Sequence, residues 1–510
     1  MTARTLAPHR SPLTPERESF WRLVHAEWTK FRTVRGWVVA VLVMIVAIPA
    51  FAFLSTDRGI GCVNGPVSAS PVGCPVQPTG PGGVPVIDEF DFAHQPVTGN
   101  GTITVQVTSV TGHARDANQL VPSGLDPWSK AGIIIKENTS QGSAYAAMMV
   151  TGSNGVRMQW DYVNDTPGLT GSAAASAPRW LRLVRDGGTI TGYDSADGTH
   201  WTPVGSATLP GLTSTVQAGL FAAGSWTDDG QVVQATGVFR HIGLSWPATG
   251  WTGTNVGGPN AVPELGTIRQ SAGALTVASF GDISPAVGGS YMGSGQPLQD
   301  VLAGTLLGLI PLIVVAAMFI TAEYRRGLIH VSLTAAPRRG RLLAAKAVVI
   351  GAVGFVGGLV GATLALAVGL HLLRGSLEWP ASLLTEAWMV IGTAALLAVA
   401  AVLALALGTI VRSTALAVAL VIVVIFLPYL FALHPGGSNP AGPGGWELEI
   451  TPAAALSVQT SAPRFYQLIT DYVPHAGYYP LAPWAGLAVE CAWAAAALAL
   501  AYYRLRRRDA

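Results

Sequence analysis

The chain has 510 residues, 50% hydrophobic and only 11% charged, with a mean hydropathy of +0.42. That balance is too apolar for an ordinary soluble domain and fits a membrane protein. The formal net charge of +2 carries no strongly basic surplus, so no nucleic-acid partner is expected.

Residues 1–35 read as a cytoplasmic segment. Within it Phe20, Leu23, Val24, Trp28 and Phe31 recur at helical spacing, with Arg22, Lys30, Arg32 and Arg35 among them. The pattern predicts an amphipathic helix in the inner membrane interface, basic side chains toward anionic headgroups. A plain positive flank that sets topology would leave the same charges. The first apolar block, Gly36–Leu54, follows basic residues as a secretory signal would. A long aromatic and charged stretch precedes it, however, and no small-residue cleavage pattern is convincing, so it reads as a retained span.

Residues 55–87 are dense in Pro and Gly and read as a stalk with partial polyproline character. Cys62 and Cys74 lie just beyond the span. In an oxidising compartment, a disulfide closing so short a loop would contribute about 3 kcal/mol. Two unpaired thiols in the stalk are the alternative. Region 88–298 alternates apolar and polar residues over short runs such as TITVQVTSV, AGIIIKE, YAAMMVT and RWLRLVRD, separated by turn formers. That is the pattern of an antiparallel β-sandwich, with a core at about 88–246. Asp197 and Gly198 in YDSADGTHW mark a hairpin. Further strands in 247–298 either complete this sandwich or begin a truncated second one.

A membrane domain, 299–510, follows, with apolar blocks Val301–Thr321, Ala347–Leu370, Ala387–Val411, Thr414–Leu433 and Trp484–Tyr503. Each is long enough to cross a hydrocarbon core, which takes about 20 apolar residues as a helix. Six transmembrane helices are thus expected. Arg32, Arg35, Arg412 and the cluster Arg504, Arg506, Arg507, Arg508 place both termini in the cytoplasm and the long first loop outside. The chain is expected to be a multi-pass protein of the cell membrane. Gly354/Gly358 and Gly357/Gly361 offer two small helix faces, suited to a dimer seam or merely reflecting abundant glycine. His434–Pro483 reads as a Pro/Gly-rich external loop. Cys491 reads as a small packing residue. Glu490 lies inside the last span, either a polar functional site in the membrane or shallow enough to reach interfacial water.

Catalytic motifs are scarce. The chain has no GxxxxGK[ST], HExxH, CxxC or GxSxG sequence, so no metal and no cofactor of its own are expected, and ATP with Mg would be used on a partner subunit. Glu89 and Asp91 in IDEFDF resemble the carboxylate strand of laminarinase-type glycoside hydrolases, and strand alternation would put both on one face. A retaining mechanism needs a second functional carboxylate about 5–5.5 Å away. That family supplies a further Glu three residues on, where this chain has His94. Solvated or strand-end carboxylates are the better reading. Trp128, Trp160, Trp180, Trp201 and Trp226 could stack on sugar rings, but core positions are expected for most.

The stretches EWTKFRTVRGW, before the first span, and AEYRRGLIHVSLTAAPRRGRLLAAKAVV, after the second, resemble the permease subunits of type-2 ABC exporters of high-GC Gram-positive bacteria. The resemblance implies an ATPase-coupling loop over 322–346. Its marks are Glu323 and Tyr324 at the span end, Arg325 and Arg326, Gly327, a turn at Pro337 with Arg338, Arg339 and Arg341, and Lys346 at the next span. DPWSKAGIIIKENTSQGSAYAAMMVTGSNGVRMQW and PRWLRLVRDGGTITGYDSADGTHWTPVG are similar to concanavalin A-like and laminin-G-like jelly-roll sandwiches. The implied protein is the permease of an ATP-driven exporter. It would work as a permease dimer in the bilayer with a separate ABC ATPase subunit, and its ectodomain would meet glycan or other cell-envelope ligand. A membrane-anchored glycan sensor without transport is the alternative, and an ectodomain hydrolase a weaker one.

Overall fold

A computed structural model describes residues 19–57, 78–116, 119–174, 177–226, 232–257, 266–287, 297–327, 338–372, 379, 381–432, 446–465, 467, 474 and 478–507. Helix α1, Phe20–Thr33, is separated by Val34 from α2, Arg35–Asp57. After the β domain come α3 (Gly304–Arg325), α4 (Arg339–Leu372), α5 (Leu383–Val411), α6 (Thr414–Ala432) and α7 (Pro483–Arg507). Among the described residues, α2 to α7 are six helices long and apolar enough to cross a membrane. Ser382 caps α5 by accepting from the Thr385 N–H, and Arg412, in the left-handed region at φ 59°, turns α5 sharply into α6.

The small faces of α4 both serve packing inside the chain. Gly354 and Gly358 face α5, where a Cβ at Gly358 would lie 3.0 Å from Ala394 Cα. Gly357 and Gly361 face α2 at Met44 and Ile48. One helix thereby seats two neighbours at once.

The β domain is built on two large antiparallel sheets that share one aliphatic core, with a separate two-stranded pair, Val86–Asp88 and Ile283–Pro285. The first runs in the order Thr252–Val256, Phe90–Thr98, Thr215–Ala223, Lys130–Lys136, Tyr145–Thr151, Val156–Trp160, Asn164–Pro167. The second has a main path Thr202–Thr208, Thr189–Ser195, Arg179–Asp186, Gly101–Asp116, Val232–Leu244, Ala274–Ser279, Thr267–Ser271. The strands beyond residue 247 therefore extend the first sandwich: Thr252–Val256 edges the first sheet, Ala274–Ser279 and Thr267–Ser271 add two strands to the second, and Ile283–Pro285 pairs with Val86–Asp88. The hairpin at Asp197 and Gly198 forms: Gly198 takes φ 77°, and Asp197 Oδ1 accepts from the Thr199 and His200 amides, each at 2.8 Å.

Two expectations for this domain are corrected. Glu89 falls between Val86–Asp88 and Phe90–Thr98, so it does not alternate with Asp91 along one strand. Trp160 packs partly buried against the core, but Trp128, Trp180 and Trp201 are partly buried outside it, and the Trp226 side chain lies outside the described residues. The second sheet's outer surface carries Trp180 against the His241 ring and the Arg182 guanidinium 3.7 Å from the Trp201 ring centroid.

At the base of the sandwich, Lys136 Nζ and the Tyr162 hydroxyl each lie 2.7 Å from Asp88 Oδ2. Burial pulls the Lys136 ammonium below the ordinary lysine value, against the pull of Asp88. The same base meets the membrane domain, because Gln467 Nε2 donates to the Tyr162 carbonyl at 3.2 Å and Trp379 Nε1 to the Ala286 carbonyl at 2.8 Å.

Candidate functional site

The densest charge cluster in the membrane domain sits where α1, the end of α3 and the start of α4 meet. Lys346, fully buried, places Nζ 2.7 Å from Glu27 Oε2 and 2.7 Å from Glu323 Oε1. Lys30 adds a second ammonium, 2.7 Å from Glu27 Oε1 and 3.2 Å from Glu323 Oε1. Burial alone would lower the Lys30 ammonium, but Glu27 and Glu323 outweigh it and raise its pKa. Two carboxylates and two ammoniums thus balance locally. A buried charge is tolerated on that condition.

Aromatic packing brings these groups together. Phe31 of α1 meets Phe319 of α3 edge-on at 5.9 Å, and Trp37 meets the same ring at 5.4 Å. The Lys346 ammonium lies 4.5 Å from the Phe319 ring centroid. The amphipathic helix expected before the first span is present and is docked on the bundle by Glu27 and Phe31, both buried.

The other residues expected in the 322–346 loop divide into three sets. Tyr324 carries the Arg412 guanidinium 5.0 Å from its ring centroid, tying α3 to the α5–α6 turn. Arg339 donates to the Leu505 carbonyl at the end of α7, and Arg504 to the Ile410 carbonyl at 3.1 Å. Thr321 and Thr414 share a hydroxyl contact of 2.6 Å. Arg325, Arg326, Gly327, Arg338 and Arg341 are exposed, Gly327 at φ 67°. Pro337 lies outside the described residues, as do Cys62 and Cys74. The connection is shorter than expected, because α4 starts at Arg339 and places Arg341 and Lys346 on helix.

Glu27 was missed by sequence reasoning, though a signal existed. It follows Val24 by three residues and precedes Phe31 by four, which puts a carboxylate on the apolar face of α1. A second buried polar region lies at the other end of the bundle. The 3-10 segment Pro452–Gln459, within the stretch read as an external loop, is buried along its whole length against α5 and α7. There Gln459 Nε2 lies 3.0 Å from Thr305 Oγ1 and 3.4 Å from Thr393 Oγ1. Glu490, one turn after Gly486 on α7, is fully buried.

Residues 141–510 match the family described as ABC-2 family transporter protein. The chain belongs to that family. The matched region spans part of the sandwich and all of α3 to α7, so this ABC-2 chain is a membrane permease of an ABC transporter, and such permeases work with a separate ATPase. No curated protein matches the ABC-2 chain in sequence. Solved structures with some likeness include a functionally unknown protein from Saccharomyces cerevisiae, 17% identical over 30% of this chain and 74% of that one, at a TM-score of 0.19. An eqolisin-family peptidase, SCP-B, in complex with a tripeptide is 8% identical over 39% and 100%, at 0.24. The GH43 protein BlXynB from Bacillus licheniformis is 15% identical over 24% and 24%, at 0.17. Scores this low transfer neither fold nor activity to the ABC-2 chain.

Proposed function

We propose that the chain is the permease of an ATP-driven exporter, coupled to its ATPase through the 322–346 connection, with both termini cytoplasmic and the sandwich outside. Two permease copies and two ATPase subunits make the working unit. The sandwich is the part that meets glycan or other cell-envelope material. The observation that carries this reading is the knot of Lys346, Glu27, Glu323 and Lys30, because the helices that flank the connection, α3 and α4, are locked to each other and to α1. A push on exposed Arg325, Arg326, Arg338 or Arg341 is then transmitted to three helices together.

Arg326 and Arg338 are the residues to change, since Arg339 also holds the end of α7. Replacing both by Glu inverts the charge offered to an ATPase groove and removes charge-assisted hydrogen bonds. Stimulated ATP hydrolysis in the reconstituted complex is expected to fall while membrane insertion is kept. Unchanged stimulation would sink the coupling role. If no ATPase copurifies after mild detergent extraction, the membrane-anchored sensor takes its place.

A further inference from the structure

We infer that the sandwich-side half of the membrane domain holds a recognition site for an organic cation, anchored by the Glu490 carboxylate; the inference rests on the permease reading and names its substrate class.

Glu490 is the eighth residue of α7, which starts at Pro483, and so lies about 10 Å along the helix. It is 0% exposed, and neither carboxylate oxygen has a hydrogen-bond partner. Protonation removes the charge but still leaves the acid's O–H donor without a partner. A buried polar group left unpaired costs about 1–3 kcal/mol, and more when charged.

The segment packed on α7 one turn earlier is likewise incomplete. Ser457 Oγ on the Pro452–Gln459 segment is buried without a hydrogen-bond partner. Its approach depends on Gly486, one turn before Glu490 on the same face of α7, where a Cβ would collide with Ser457 Oγ and the Ala454 carbonyl.

The contrast with the opposite end of the bundle identifies the ligand. There both carboxylates, Glu27 and Glu323, have lysine partners within 3.2 Å. At the sandwich side Glu490 has none among the described residues, so the complementary charge is left for a ligand to bring. A hard metal ion takes six or more oxygen ligands or a near-ideal octahedral shell, and no group of three or more acidic, His or Cys side chains exists among the described residues. One carboxylate and one hydroxyl instead suit a monovalent organic cation on an apolar body, held by charge.

The test uses the intact purified chain and two ions of matched size and opposite charge, tetraphenylphosphonium and tetraphenylborate, with saturable binding measured by equilibrium dialysis. The cation is expected to bind at least about tenfold more tightly than the anion. Glu490→Gln is expected to weaken cation binding at least about tenfold, and Glu449→Gln, an exposed acid near the same segment, to leave it unchanged. Equal binding of the two ions, absence of saturable cation binding, or full cation affinity in Glu490→Gln each overturns the site. Should the Gln variant fail to fold, the comparison of the two ions on the unaltered chain decides alone. No ATPase enters this measurement, so failure to copurify one would sink the coupling reading and leave the binding result standing on its own.

Discussion

Replacing Lys346 by Met tests whether the charge knot holds α1 on the bundle. The substitution keeps most of the apolar stem and removes an ammonium that lies 2.7 Å from each of two carboxylates. Breaking a buried pair from one side costs about 3–5 kcal/mol, because a charge is left uncompensated. Lys30 stays beside both carboxylates, but its side chain is 44% exposed, so it offsets part of the loss and the lower end, about 3 kcal/mol, applies. That corresponds to roughly a 100-fold shift from docked to undocked α1. Amide hydrogen exchange of the intact chain reads it directly: residues 20–33 should lose about two decades of protection while α5 keeps its own. Adding Glu27→Gln to Lys346→Met should cost less than the sum of the two single changes, because both act on one contact. Unchanged protection of α1, or strict additivity, would refute the reasoning.

Gly358→Leu forces a side chain against Ala394 and Leu397, and should destabilise the α4–α5 contact by about 1–3 kcal/mol, seen as a lower melting temperature of the purified chain. Asp88→Asn leaves Lys136 buried without its carboxylate, a loss of about 3–5 kcal/mol; the double change Asp88→Leu with Lys136→Met should recover most of it in the same melting experiment. Burial holds His94 below the ordinary histidine value, despite the Gln217 hydrogen bond. The unfolded chain therefore takes up this proton first, and its contribution to sandwich stability is lost as pH falls through about 6.5, levelling off below the folded value. His94→Gln should reduce that part of the acid dependence; an identical pH profile in both proteins would count against it.

Spans were legible because a transmembrane helix satisfies its own backbone and needs only an apolar run, a local property. Glu323 and Lys346 were legible as charges bordering apolar blocks. Their pairing with Glu27 was not, because it depends on Phe31 and Trp37 both finding the Phe319 ring, far away in sequence. Pairing of Thr252–Val256 with Phe90–Thr98 is similarly long-range, and strand alternation carries no record of which neighbour a strand will take. Trp180 and Trp201 misled because hydrophobicity alone was taken as burial. Their rings instead engage His241 and Arg182 on the sheet surface. The Pro452–Gln459 segment looked like loop because its own sequence has no helical stripe; what buries it are gaps left by Gly392 and Gly486 on two other helices.

These contacts give the inserted sandwich a mechanical place in the permease. It is spliced between α2 and α3, helices of 23 and 22 residues, each about 33 Å long. Gly304 and Gly308 let α3 lie against Ile48 and Phe51 of α2, so the two form a pair whose far ends enter the charge knot, α2 through α1 and α3 through Glu323. Displacement of the knot would therefore tilt both struts together rather than slide one along the other. Gln467 and Trp379 connect the sandwich base to two further membrane-domain loops. The sandwich is accordingly braced against more than the pair that carries it. If α2 and α3 move while those loops stay, strain falls on the Tyr162 and Ala286 carbonyl contacts, which are single hydrogen bonds and contribute only about 0.5–1.5 kcal/mol each. They are weak enough to exchange during a transport cycle.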